Sequence, residues 1–149
     1  MSNVLIAIAV MIIGFVLAGY GVYDNVQASR RTALATTIGS KMSRLGVYNQ
    51  ELKEELGHNP LSPGEEASTG YASYDLTALN RENFGTVTFR FHAVSGGYFV
   101  CATSTDVGQT MQEAMRLVAR DRPPAYVSGE CANPSTAVSN QTVVSLKLY

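Results

Sequence analysis

The chain has 149 residues, a formal net charge of −1, and charged side chains at only 15% of its positions. So even a balance excludes a globally basic surface, and no nucleic-acid partner is expected. Setting aside the apolar N-terminal stretch, the remainder suffices for one modest domain.

Met1–Tyr23, MSNVLIAIAVMIIGFVLAGYGVY, carries no charged side chain, and the first is Asp24. As a helix it would reach roughly 35 Å, enough to cross the hydrocarbon core of a bilayer. The stretch has no Lys or Arg ahead of its apolar run, and the run is longer than the apolar core of a secretory signal. A cleaved signal peptide is therefore a poor reading. Two outlets remain, burial in lipid and burial among copies of the same stretch. Arg30 and Arg31 are the nearby basic pair and by themselves would hold the rest of the chain in the cytoplasm. The two cysteines and the β-rich tail point to the opposite side. The conflict disappears if a basic leader once preceded Met1 and was removed.

After Asp24 the periodicity changes. Leu34, Ile38, Met42, Leu45, Tyr48 and Leu52 step by three or four residues, the stripe of an amphipathic helix. Arg30, Arg31, Lys41, Arg44, Lys53 and Glu54 fall mostly off it. No proline interrupts Met1 to Asn59, so one helix is expected from about Ser2 to Leu56, stopped by Gly57 and Pro60. Gly14, Gly19, Gly21, Gly39 and Gly46 serve either close helix packing or local melting of that helix.

His58–Ser73 reads as a loop, rich in Pro, Gly, Ser and Thr. Tyr74–Phe84 carries a short helical turn around Leu76 and Leu79. Gly85–Ala93 alternates, with Val87, Phe89, Phe91 and Ala93 to one side and Thr86, Thr88, Arg90 and His92 to the other. Ser95-Gly96-Gly97 turns the chain, and Tyr98–Thr103 returns as the second strand of a hairpin. Ser104, Thr105 and Asp106 are candidate N-caps for a helix with the stripe Val107, Met111, Ala114, Met115 and Val118. Gln109, Gln112, Glu113 and Arg116 form its exposed face, and Pro123-Pro124 ends it. Ala125–Val127 is a short strand, Glu130–Asn140 a loop, and Thr142–Tyr149 a final strand that sets Val144, Leu146 and Leu148 against Val143, Ser145 and Lys147. The fold class is α+β, a long helix packed on an antiparallel sheet.

The chemistry-bearing residues are sparse. There is no Gly-x-Ser-x-Gly elbow, phosphate-binding Gly-rich loop or His-Glu-x-x-His pair. His58 and His92 read as surface histidines. Glu54-Glu55 and Glu65-Glu66 lack the spacing of a calcium loop. No catalytic residue, metal ligand or cofactor is assigned, and an enzyme is the least supported class. Asn140-Gln141-Thr142 matches a glycosylation sequon, a short pattern that occurs by chance. Cys101 and Cys131 lack the short pair spacing of a zinc site. In an oxidising compartment they would form one disulfide, the alternative being two buried thiols.

The N-terminal run resembles that of mature type IV pilins. These begin at a processed residue, continue as an unbroken apolar helix, and commonly carry Gly at the place of Gly14, here within Ile12-Ile13-Gly14-Phe15-Val16. Met1 as first residue, the lack of a proline near position 22, and a helix between the cysteines are more like the type IVb branch. The sequence departs from the pattern at Leu5, where the family usually has Glu, as some minor pilins and pseudopilins also do. The motif covers roughly the first 25 residues, and the remainder matches in architecture, including the disulfide-bounded C-terminal region.

The resemblance implies a transmembrane and filament-core half-helix over 1–25. A head domain follows over 26–149, made of an amphipathic helix (26–56), a connecting loop (57–84) and a sheet with the disulfide-bounded region (85–149). It implies a modified N-terminus at Met1 and filament-core packing by Val4, Leu5, Ile8, Met11, Ile12, Gly14, Phe15 and Leu17. Asp24, Arg30 and Arg31 would make charge contacts between subunits. The implied partners are further copies in a helical filament, the bacterial inner membrane before assembly, a prepilin peptidase and a pilus assembly platform. The filament would be extracellular and serve adhesion, conjugation or motility. Two other readings follow, a minor pilin or pseudopilin, and a bitopic membrane-anchored periplasmic binding domain.

Overall fold

The computed structural model describes residues 2–67 and 87–149, with side chains in the first helix described from Met11 onward. Helix α1, Ser2–Leu56, is continuous for 55 residues, about 80 Å at the standard rise. It ends where Gly57 adopts φ 72° and donates its N–H to the Lys53 carbonyl, a left-handed stop that suits glycine. The notional helical turn at Tyr74–Phe84 lies outside the described residues, as do Gly85 and Thr86.

The chain then forms β1 (Glu66–Ala67), β2 (Val87–Val94), β3 (Gly97–Ser104), helix α2 (Gln109–Asp121), β4 (Tyr126–Ser128) and β5 (Thr142–Lys147). The strands make one antiparallel sheet in the order β1-β2-β3-β5-β4. The fold is α+β. The C-terminal strand lies inside the sheet, between the returning hairpin strand and β4.

One sheet face, α1 and α2 share the main core. Leu34, Ile38, Met42 and Leu45 of α1 meet Phe89, Phe91 and Val100 of the hairpin and Met111, Met115 and Val118 of α2, all buried. The alternation in β2 is the cause, since every second residue from Val87 faces this core. Gly46 allows the Leu148 side chain to approach α1, and Gly39 leaves the space that the Arg122 guanidinium fills. These two glycines serve packing within the chain.

A second, smaller cluster covers the other sheet face. Phe99, Cys101 and Val143 are buried there, with Tyr126, Cys131 and Ala132 packed against them. Cys101 and Cys131 form the disulfide, closing a segment of 30 residues. In the chain-entropy model such a loop contributes roughly 3–4 kcal/mol. Ser145 Oγ accepts the Ala132 N–H at 3.1 Å and lies 3.4 Å from Cys101 Sγ.

The C-terminus is tied down on the α1 side. Tyr98 N–H donates to the Tyr149 carbonyl and Leu148 N–H to the Tyr98 carbonyl. The Tyr149 ring stacks on Tyr98, its hydroxyl accepts from Asn49 Nδ2, and Lys53 Nζ sits 3.7 Å from the ring centroid. Burial is the main influence on the Tyr149 hydroxyl and pushes its pKa up, with the Asn49 bond acting in the opposite sense.

Several sequence expectations are corrected. The loop expected over His58–Ser73 contains β1, because Gly64 donates to the Ala93 carbonyl and Ala93 back to the Glu65 carbonyl, docking the chain on the free edge of β2. Ser104, Thr105 and Asp106 do not cap α2. Gly108 is the N-cap, without a side-chain bond. Ser104 Oγ accepts the Asp106 N–H and Asp106 Oδ1 the Gly108 N–H, so these side chains build the preceding turn. Val107 falls in that turn and is exposed, not on the buried stripe. Lys41, expected off the stripe of α1, is buried, since it lies between Ile38 and Leu45 on the same face. The final strand does not alternate at its start, because Thr142, Val143, Val144 and Ser145 lie between two clusters and are buried on both faces. His92 is not a surface histidine. It is only 17% exposed, with Glu66 Oε1 at 2.8 Å from Nδ1, because β1 brings that carboxylate across the strand pair. His58, as expected, is exposed.

Candidate assembly surface

The most unusual surface in the molecule is the first half of α1. From Met11 to Val26 every residue is exposed. Phe15 is 79% exposed and Met11 64%, and Ile12, Ile13, Val16, Leu17, Tyr20, Val22 and Tyr23 are all above half. Because they include consecutive residues, these side chains surround the helix and leave no polar face to turn toward water. Fully burying an Ile-, Leu- or Phe-sized side chain is worth about 1.5–3 kcal/mol. A contiguous surface of this size is far outside what a dispersed monomer exposes to water. It requires a cover of lipid or of other apolar helices.

Of the eight expected packing residues, Met11, Ile12, Gly14, Phe15 and Leu17 are exposed on this surface. The side chains of Val4, Leu5 and Ile8, like Met1, lie outside the described ones. A Cβ at Gly14, Gly19 or Gly21 would meet nothing within 4 Å. Their lack of a side chain thus leaves the α1 backbone open to close approach by another helix. Among the described residues no helix is long and apolar enough to cross a membrane, and the expected span begins ahead of Met11.

A polar clasp marks where α1 meets the rest of the fold. Gln27, at half-burial, accepts from Thr110 Oγ1 at 3.3 Å. One turn later Arg31 pairs with Glu113 of α2, and Gln109 Nε2 donates to the same carboxylate at 2.8 Å. The next turns bury Leu34, Ala35 and Ile38. Of the three expected charge contacts, Arg31 therefore has its partner within the chain, whereas Asp24 and Arg30 are exposed. The clasp was not legible in the sequence, which put Glu113 on the open face of its helix. The Gln109/Glu113 spacing of one turn was its only local signal.

The Gln109 hydrogen bond, followed by that from Arg31, holds the Glu113 carboxyl below its ordinary value of 4.5. A carboxylate depressed on folding contributes stability that is complete well above that value and is lost as pH falls through its folded pKa. The urea midpoint of the full chain in detergent is therefore expected to fall as the pH drops below the ordinary carboxylate value of 4.5, and Glu113→Gln should flatten that part of the profile. An unchanged slope in the variant would show that other carboxylates carry it.

Clefts line α1 where it meets α2. The one of about 400 Å³ is lined by Thr32, Ala35, Thr36, Leu117, Arg120, Asp121 and Arg122. Arg120 Nε there pairs with Asp121 at 3.0 Å, and Arg122 Nε donates to Ser43 Oγ at 3.2 Å. Among the described residues no three His, Cys, Asp or Glu side chains gather as a metal site. Comparisons with protein-family models, curated proteins and solved structures return no match.

Proposed function

We propose that this chain is a structural subunit of a type IV pilus, with a pilin-like fold. The observation that carries the reading is the all-round apolar surface of α1 from Met11 to Tyr23, projecting as an unbroken extension of the helix that organises an α+β head. The disulfide fits an oxidising compartment. Before assembly the apolar half-helix lies in the bacterial inner membrane, after prepilin processing at Met1. It then packs with its equivalents along a filament axis, and the heads face outward into the extracellular medium. Lipid tails and Leu side chains are similarly apolar, so this transfer is close to neutral and packing decides it. Work from an assembly platform drives extraction. No cofactor and no enzymatic step enter this mechanism.

Leu5 favours one variation, a minor pilin or pseudopilin that occupies few places in a filament. The test is electron microscopy and quantitative immunodetection of filaments sheared from the source cells. A pilus subunit is expected to be abundant in the sheared fraction and to label filaments along their length. Sparse labelling would assign the minor role. Retention of all the chain in the membrane fraction, with no labelled filament, would overturn the proposal in favour of a bitopic anchor.

A further inference from the structure

The outward face of α1 in the head has a pattern that the described residues of its own fold do not use. Ala33, Thr37, Ser40, Arg44, Val47 and Glu51 follow one another by alternating steps of four and three residues. That spacing keeps a single line along a helix facing a neighbouring helix. The line runs opposite the buried stripe, and all but the half-buried Thr37 are exposed. Val47 is 61% exposed in the middle of the line, flanked by unlike charges at Arg44 and Glu51. Glu55 lies one turn beyond Glu51, a like-charge spacing that destabilises an isolated helix. Among the described residues no cation pairs with Glu51 or Glu55 and no anion with Arg44.

We infer that this line is a parallel, staggered contact with a second copy of the chain, in which Arg44 of one copy meets Glu51 of the next. The inference rests on the filament reading above and adds its register. Two parallel copies without stagger would set Arg44 against Arg44 and Glu51 against Glu51, which repel. The step from Arg44 to Glu51 is seven residues, so an axial shift of about 10 Å replaces both repulsions with an attraction. The same shift brings Ser40 beside Val47 of the neighbour, a small residue against an exposed apolar one. The contact continues the apolar surface onto the head, and the parallel sense keeps the apolar halves together. An antiparallel pair would separate them.

The experiment is a charge exchange in source cells, read as the sheared fraction of the full chain. Arg44→Glu and Glu51→Arg are each expected to lower assembly by about tenfold or more, and the double variant to recover most of it. Both sites are exposed, so the head should keep its Cys101–Cys131 disulfide and its resistance to protease in every variant. Wild-type assembly by either single variant would overturn the contact. Failure of the folded double variant to recover would overturn it too. Cysteine pairs read the direction. Ser40→Cys combined with Val47→Cys should yield a ladder of cross-linked copies. Dimers from Val47→Cys alone would show the antiparallel arrangement and overturn the stagger. Absence of filaments from the unsubstituted chain would instead sink the assembly reading, and the contact with it.

Discussion

Under the proposed pilus assembly, Gly14→Arg is expected to remove the chain from surface filaments, whereas Leu5→Glu should leave a substantial fraction assembled. Gly14 lies near the middle of the uncharged stretch, and a side chain added there meets nothing of its own chain. The substitution therefore leaves the head fold intact and acts on what surrounds the helix. In a bilayer an Arg near the centre of a helix costs about 2.5–3.5 kcal/mol on insertion scales. In a packed helical bundle it leaves a buried charge without a partner, at a cost of about 3–5 kcal/mol. Its bulk also closes the surface through which another helix can approach. A Glu at position 5 sits near the start of α1, where the helix dipole favours negative charge. The measurement is the ratio of sheared to total chain by immunoblot, with formation of the disulfide as the check on folding. Equal loss in both variants would count against an assembly surface centred on Gly14.

Phe89→Ala is expected to destabilise the head by about 3–5 kcal/mol, the usual cost of emptying a fully buried aromatic site. Phe89 has no exposed surface and sits in the cluster that joins α1, the hairpin and α2. Its neighbour Arg90 points the other way and pairs with Glu66 at 3.4 Å, both side chains more than 40% exposed. Arg90→Ala should therefore cost less than about 1 kcal/mol. Urea titration of the full chain in detergent, followed by near-ultraviolet circular dichroism, reads both. Similar losses from the two variants would mean that the faces of β2 are not as unlike as the structure has them.

The elements with a local period were legible in the sequence. The extent of α1 follows from an unbroken run without proline and a glycine in position to stop it. Its buried stripe follows from steps of three and four residues. Strand β2 follows from alternation, the hairpin from Ser95-Gly96, and α2 from Met111, Ala114, Met115 and Val118. Each of these patterns is written within one element, because side chains that share a face recur at a fixed interval.

Tertiary structure alone decided the contacts between elements distant in sequence. The C-terminal strand lies inside the sheet, next to β3. That position puts Thr142–Ser145 between two apolar clusters and suppresses the alternation that sequence reasoning expected. Pairing of β1 with β2 places Glu66 beside His92, and the approach of α1 to α2 places Arg31 beside Glu113. Glu66 and Glu113 each look like an ordinary solvated carboxylate within their own segment. The apolar half of α1 is the inverse case. Its composition alone determined that it must be covered, because no arrangement of one helix can hide a surface that is apolar on every side. Which residues join that surface to the head depended on how α1 crosses α2, a geometry that neither helix encodes by itself.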